Sequence, residues 1–107
     1  MKKMSLDEQM ECKKAFVERV GRCVGKLSFN QSHVYLEGVG TRGYPYCLNI
    51  GIGGNYVTIG AESPCEALGY KGEGKPCETK AEFLAELERL IKAYDVKEID
   101  HEQLKLW

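Results

Sequence analysis

No apolar run in this sequence approaches the roughly eighteen residues that a bilayer-spanning helix requires, so a membrane span is not expected. An excess charge of one sign is also missing. Lys plus Arg total 15 against 16 Asp plus Glu, a formal net charge of −1, which disfavours a protein whose affinity rests on releasing counterions from nucleic acid. The two amino-terminal lysines give way to Leu6-Asp7-Glu8 before any apolar stretch develops. No secretory signal is therefore expected, and a cytoplasmic location follows.

Metal-binding and catalytic spacings are lacking as well. Ten residues separate Cys12 from Cys23, eleven separate Cys65 from Cys77, and His33 and His101 are the only imidazoles. Zinc sites are built on closer cysteine pairs, so neither a metal nor any other cofactor is expected. Ser, His and carboxylate residues are present, yet no nucleophile elbow, metal-binding helix or paired-carboxylate motif brings them together. The reading is that of a non-enzyme.

Among the residues present, 107 in all with 43% apolar, the length suits one domain spanning 1–107. Five cysteines cannot all pair within one chain. In a reducing compartment they act as small packing residues.

Two segments carry helical periodicity. Ser5 with Glu8 forms a capping box, after which Leu6, Met10, Phe16, Val17, Val20, Cys23 and Val24 share one broad face and Gly25 supplies a stop. Gln9 and Lys13 interrupt this stripe, and the Lys13 stem can cover apolar surface while its ammonium reaches water. Thr79 with Glu82 repeats the box, followed by Phe83, Leu84, Leu87, Leu90, Ile91 and Tyr94. The opposite side carries Glu82, Glu86, Glu88, Arg89 and Lys92 and reads as solvated.

Between these helices the period drops to two. Val34 and Leu36 alternate with Tyr35 and Glu37; Tyr46, Leu48, Ile50 and Ile52 with Cys47, Asn49 and Gly51; Val57, Ile59 and Ala61 with Tyr56, Thr58 and Gly60. Gly53-Gly54-Asn55 reads as a tight hairpin turn. Lys26 to Asn30 offers a leading strand, Ser63-Pro64-Cys65-Glu66 a short capped helix, and Tyr70 to Pro76 a loop. The expected architecture is α+β: helix, three- or four-stranded antiparallel meander, helix, with both helices on one sheet face.

Gly38-Val39-Gly40-Thr41-Arg42-Gly43 matches GxGxxG after a strand. A dinucleotide fold needs the third glycine to open a helix, whereas Tyr44-Pro45-Tyr46 and a further strand come next, so the motif reads as a hairpin connection. The order helix, strands, helix, with the run Gly69-Tyr70-Lys71-Gly72-Glu73-Gly74-Lys75 before the last helix, resembles the double-stranded-RNA-binding domain. That resemblance implies RNA binding. In that family a lysine cluster opens the last helix, and here Glu78-Thr79-Lys80-Ala81-Glu82 stands instead.

Tyrosines among small residues make a low-entropy contact surface. The candidate partner-binding residues are Tyr35, Glu37, Asn49 and Tyr56 on the helix-free face and Arg42, Tyr44 and Tyr46 in or beside the glycine-rich loop. The expected partner is a protein; a second copy could pair through a sheet edge. By class analogy alone, such chains include inhibitors and adaptors encoded by phages and other mobile elements. Leu104, Leu106 and Trp107, the only tryptophan, either pack back on the core or anchor a partner.

Overall fold

The computed structural model describes residues 3–30, 32–41, 43–63 and 72–99. Among them the element order is α1 (Leu6–Val20), β1 (Lys26–Phe29), β2 (His33–Val39), β3 (Pro45–Gly51), β4 (Val57–Glu62), β5 (Gly72–Cys77) and α2 (Lys80–Ala93). The strands pair antiparallel in the order β1-β2-β3-β4-β5. The fold is α+β, as the alternating periods imply. The short helix expected after Ser63, from Pro64 onward, lies outside the described residues, as do Arg42, His101, Leu104, Leu106 and Trp107.

Alternation decides which side of the sheet is covered. Val34 and Leu36 of β2, Tyr46, Leu48 and Ile50 of β3, and Val57, Ile59 and Ala61 of β4 are all buried, and each is separated from the next by a residue facing the other way. They form one cluster with Cys12, Phe16 and Val20 of α1 and with Phe83, Leu87, Leu90 and Ile91 of α2. The helices also pack on each other. Both therefore occupy one face, and each buried Leu, Ile or Phe contributes about 1.5–3 kcal/mol by leaving water.

The fifth strand corrects the loop expected from Tyr70 to Pro76. Gly72–Cys77 pairs with β4 along six positions, from Glu62↔Gly72 to Val57↔Cys77. Its sequence shows no apolar alternation because two of its three helix-facing residues are charged: Glu73 meets Arg89, and Lys75 lies 3.3 Å from Glu82 and 3.8 Å from Glu86. Pro76 is tolerated because β5 is an edge strand. The same network corrects the solvated reading of Glu86, which is buried and ion-paired to both Arg89 and Lys75.

Helix α1 is shorter than the periodicity suggests. It ends at Val20 with Gly21 as its cap, the Gly21 N–H donating to Val17 O at 2.9 Å. Cys23 and Val24 lie beyond it and pair with the strand-like segment after α2, with Cys23 bridging Glu98 and the Val24 N–H on Lys97 O at 2.7 Å. The buried stripe is Gln9, Cys12, Phe16 and Val20, whereas Leu6 and Met10 are 65% and 47% exposed. An apolar side chain on the flank of a helix needs no partner.

Gln9 is the centre of a clasp. Its Nε2 donates to Met4 O at 3.0 Å and Gly54 O at 2.9 Å, and its Oε1 accepts the Gly53 N–H at 2.9 Å. Gly53 and Gly54 hold φ of 109° and 88°, so the expected hairpin turn forms and aims its backbone polar groups at α1. A polar residue inside the stripe thus ties the β3–β4 turn to the helix.

The caps work partly as expected. Ser5 Oγ accepts the Glu8 N–H and Thr79 Oγ1 accepts the Glu82 N–H, each at 3.1 Å. The Glu8 carboxylate does not close its own box, because it accepts the Lys80 N–H at 2.7 Å and so caps α2. Glu82 reaches the Glu78 N–H at 3.3 Å. Placing Glu8 at the positive end of α2 fixes the two helices side by side with their amino termini together.

The GxGxxG segment is a hairpin connection with packing duties. A Cβ on Gly40 would sit 2.9 Å from Tyr94 O and 3.0 Å from Asp95 O. Only glycine lets the loop lie against the end of α2, where the Thr41 N–H donates to Asp95 O at 2.8 Å.

Candidate functional site

The helix-free face is built from rows of side chains in register. Tyr35 lies between Ser28 and Asn49, Glu37 between Lys26 and Cys47, and His33 beside Gly51, which pairs onward with Thr58. Glycine recurs farther across, where Gly60 opposes both Asn49 and Gly74. The surface therefore steps from the bulky residues of β2 down to a low floor on β4 and β5.

His33 and Tyr35 stand two residues apart and stack, with ring centroids 5.9 Å apart and planes inclined by 11°. Ser32 Oγ lies 2.9 Å from His33 Nδ1, and Asn30 Nδ2 lies 3.5 Å from the Tyr35 hydroxyl. A Cβ on Gly51 would fall 2.9 Å from both His33 Nε2 and Thr58 Oγ1, so both side chains lean over this glycine. The aromatic pair is thus held on both sides before anything binds, which lowers the entropy lost on contact.

Of the sequence-identified residues, Tyr35, Glu37 and Asn49 come together on β2 and β3. Tyr44 and Tyr56 are half-buried and lie beyond opposite ends of β3, on the order of 20 Å apart along the strand direction. Tyr46 leaves the set: it is 3% exposed, and its hydroxyl donates to Val24 O at 3.0 Å. It shares parity with Leu48 and Ile50, so it faces the helices. Arg42 lies outside the described residues. Thr58 stands on this face where the alternation of β4 puts it, whereas His33 joins it unannounced; the signal was the two-residue spacing of His33 from Tyr35.

Burial pushes the Cys47 thiol up to about 11, with Glu37 and Glu62 adding to the rise. Cys12 and Cys77 are likewise pushed up to about 11, chiefly by burial. Thiols so placed are protonated and unreactive at neutral pH. Among the described residues no group of three His, Cys, Asp or Glu side chains is placed to hold a metal.

These thiols, with Tyr46 pushed up to about 12 by burial, make a pH prediction. The folded state retains protons that the unfolded chain releases from about 9.0 for cysteine and 10.0 for tyrosine. Their contribution is fully present below those values and is lost as pH rises toward 11 to 12. Melting temperature should hold level from neutral pH to about 9 and then fall steadily; a level profile through pH 11 would contradict the buried placement of these groups.

No protein family, curated protein or solved structure matches the chain in the comparisons made.

Proposed function

We propose that the chain is a small, non-enzymatic protein-interaction module, an inhibitor or adaptor working in the cytoplasm, whose contact surface is the helix-free sheet face centred on Tyr35. One observation carries this reading. The stacked Tyr35 and His33 sit on a face that neither helix covers, beside Asn49 and Glu37, and none of the four belongs to the buried core. Rigid aromatics with polar neighbours and a low floor suit a protein partner, since each ring supplies contact area with few rotors to freeze.

Support for a protein rather than an RNA partner comes from the opening of α2. The resemblance to the double-stranded-RNA-binding domain implies three strands and a phosphate contact at the last helix, whereas this sheet has five strands and the Glu8 carboxylate holds the Lys80 N–H. A phosphate brought there would meet a carboxylate. None of the described helices is long and apolar enough to cross a membrane.

The test is a partner-capture experiment with paired variants. Tyr35→Ala should leave the melting curve within about 1 kcal/mol of the parent, because the residue lies outside the core, while the captured protein is lost. Capture that survives both Tyr35→Ala and His33→Ala would place the contact surface elsewhere. Duplex RNA binding that weakens steeply with added salt would favour the RNA reading.

A further inference from the structure

The two edges of the sheet are not alike. At one, β5 carries Gly72 and Gly74, the charged Glu73 and Lys75, and Pro76, which has no N–H to offer. Such an edge resists further pairing. At the other, Lys26 is the only charged residue of β1. The Asn30 N–H donates to His33 O at 3.0 Å, so Asn30, Ser28 and Lys26 are the positions bonded to β2. By the alternation of an antiparallel ladder, Leu27 and Phe29 turn their N–H and C=O groups outward. No described strand pairs with them on that side.

Apolar surface lies along the same edge. Leu27 and Phe29 stand on the helix-covered face, opposite the buried Leu36 and Val34, yet Phe29 is 59% exposed. Helix α1 turns Glu8, Ala15 and Arg19 toward α2, and its opposite flank carries Leu6, Met10, Lys13 and Val17. Because α1 packs over β2 and α2 over β4 and β5, that flank lies on the β1 side. Leu6 and Met10 are exposed on it. Open ladder groups bordered by apolar side chains suit an added strand, whose backbone supplies the missing bonds.

We propose that the added strand is β1 of a second copy, paired antiparallel about a two-fold axis at Ser28. In this register Leu27 of each copy faces Phe29 of the other. Both positions have outward N–H and C=O groups, so each of these pairs exchanges two hydrogen bonds. Ser28 faces its own counterpart, and each Lys26 faces Asn30 instead of a second lysine. A one-residue shift would set apolar side chains of one copy against the polar face of the other. An axis at Leu27 would set Phe29 against Gly25, which has no side chain to meet it. The order Lys26-Leu27-Ser28-Phe29-Asn30 is thus complementary to itself. The product joins the five strands of each copy into one sheet with all helices on one face. Both Tyr35 residues then lie in one row, about 14 Å apart on the open side.

Sedimentation equilibrium tests the association. So short an edge buries less than a standard interface, so a dissociation constant on the order of 100 µM is expected, with monomer at about 10 µM and mostly dimer at about 1 mM. Phe29→Asp, at an exposed site, should weaken association about tenfold or more without moving the melting curve. Leu84→Asp, at an exposed apolar residue of α2 away from this edge, should leave association unchanged. Ser28→Cys reads the register. Its two thiols would stand in a non-hydrogen-bonded pair with Cα atoms about 4.5 Å apart, within disulfide reach. Oxidised glutathione should therefore convert this variant into a covalent dimer, releasing two reduced glutathiones per disulfide. Lys26→Cys, whose thiols would lie about 13 Å apart, and the parent protein should not cross-link. Monomer at every concentration would overturn the proposal. So would a dimer indifferent to Phe29→Asp, one lost in Leu84→Asp alone, or a Ser28→Cys protein that cross-links no faster than Lys26→Cys.

Discussion

Gln9→Ala is expected to cost about 2–4 kcal/mol, a large fraction of the stability of a domain this size. The substitution removes a side chain that is 1% exposed and breaks its contacts with Met4 O, Gly54 O and the Gly53 N–H. It combines a cavity with stranded backbone groups, and a second variant separates these effects. Gln9→Met keeps most of the volume while making none of the bonds, so its loss, about 1–3 kcal/mol, measures the hydrogen bonds alone. Urea denaturation of the three proteins provides the comparison. Amide exchange adds a local reading: the Gly53 N–H should exchange faster in both variants, and the Met4 N–H, which donates to Asn55 O at 2.8 Å, should do the same as the clasp opens. A Gln9→Met protein as stable as the parent would show that the clasp contributes nothing.

Ile50→Ala is the second large effect, about 2–5 kcal/mol, because the side chain is fully buried in the middle of the cluster between sheet and helices. Asn49→Ala, one residue earlier on the same strand, should cost under about 1 kcal/mol, since it removes a half-buried side chain from the other face. Only the pleat separates these two positions. Comparable losses at both would mean that the helix-free face is packed against something, and the contact surface proposed for Tyr35 would then lose its basis.

Much of this architecture was legible because local chemistry and burial agree. Ser5 and Thr79 cap the helices where capping residues stand, the alternation from Val34 to Ala61 marks three strands with the right face inward, and Gly53-Gly54 turns where two positive φ values are needed. Legibility failed where polar groups replaced apolar ones inside the fold. Strand β5 stayed hidden because Glu73 and Lys75 meet charges on α2 rather than grease, so its helix-facing side shows no hydrophobic period. Gln9 looked like an interruption of the α1 stripe, since no pattern in one segment announces the turn that it holds 44 residues away.

The site was partly legible for a related reason. Tyr35, Glu37 and Asn49 emerge from parity, because odd and even positions on paired strands face opposite ways. The same parity assigns Tyr46 to the core. Its place at the start of β3, beside the loop at Tyr44, competes with that parity, and its hydroxyl finds a partner in Val24 O, as a buried phenol requires. The role of Gly38 depended on this too: a Cβ there would lie 2.8 Å from the Tyr46 hydroxyl, a contact made by the fold and absent from any local pattern.

Two helices cover one side of the sheet and neither reaches the other side, where the contact face is proposed. Through-space NMR contacts test it directly. The methyl groups of Leu48, Ile50 and Ile59 should show cross-peaks to the rings and methyls of α1 and α2, while the Tyr35 ring should show cross-peaks to His33 and to neighbouring strand residues and none to either helix. Cross-peaks linking Tyr35 or Asn49 to side chains of α1 or α2 would contradict the account.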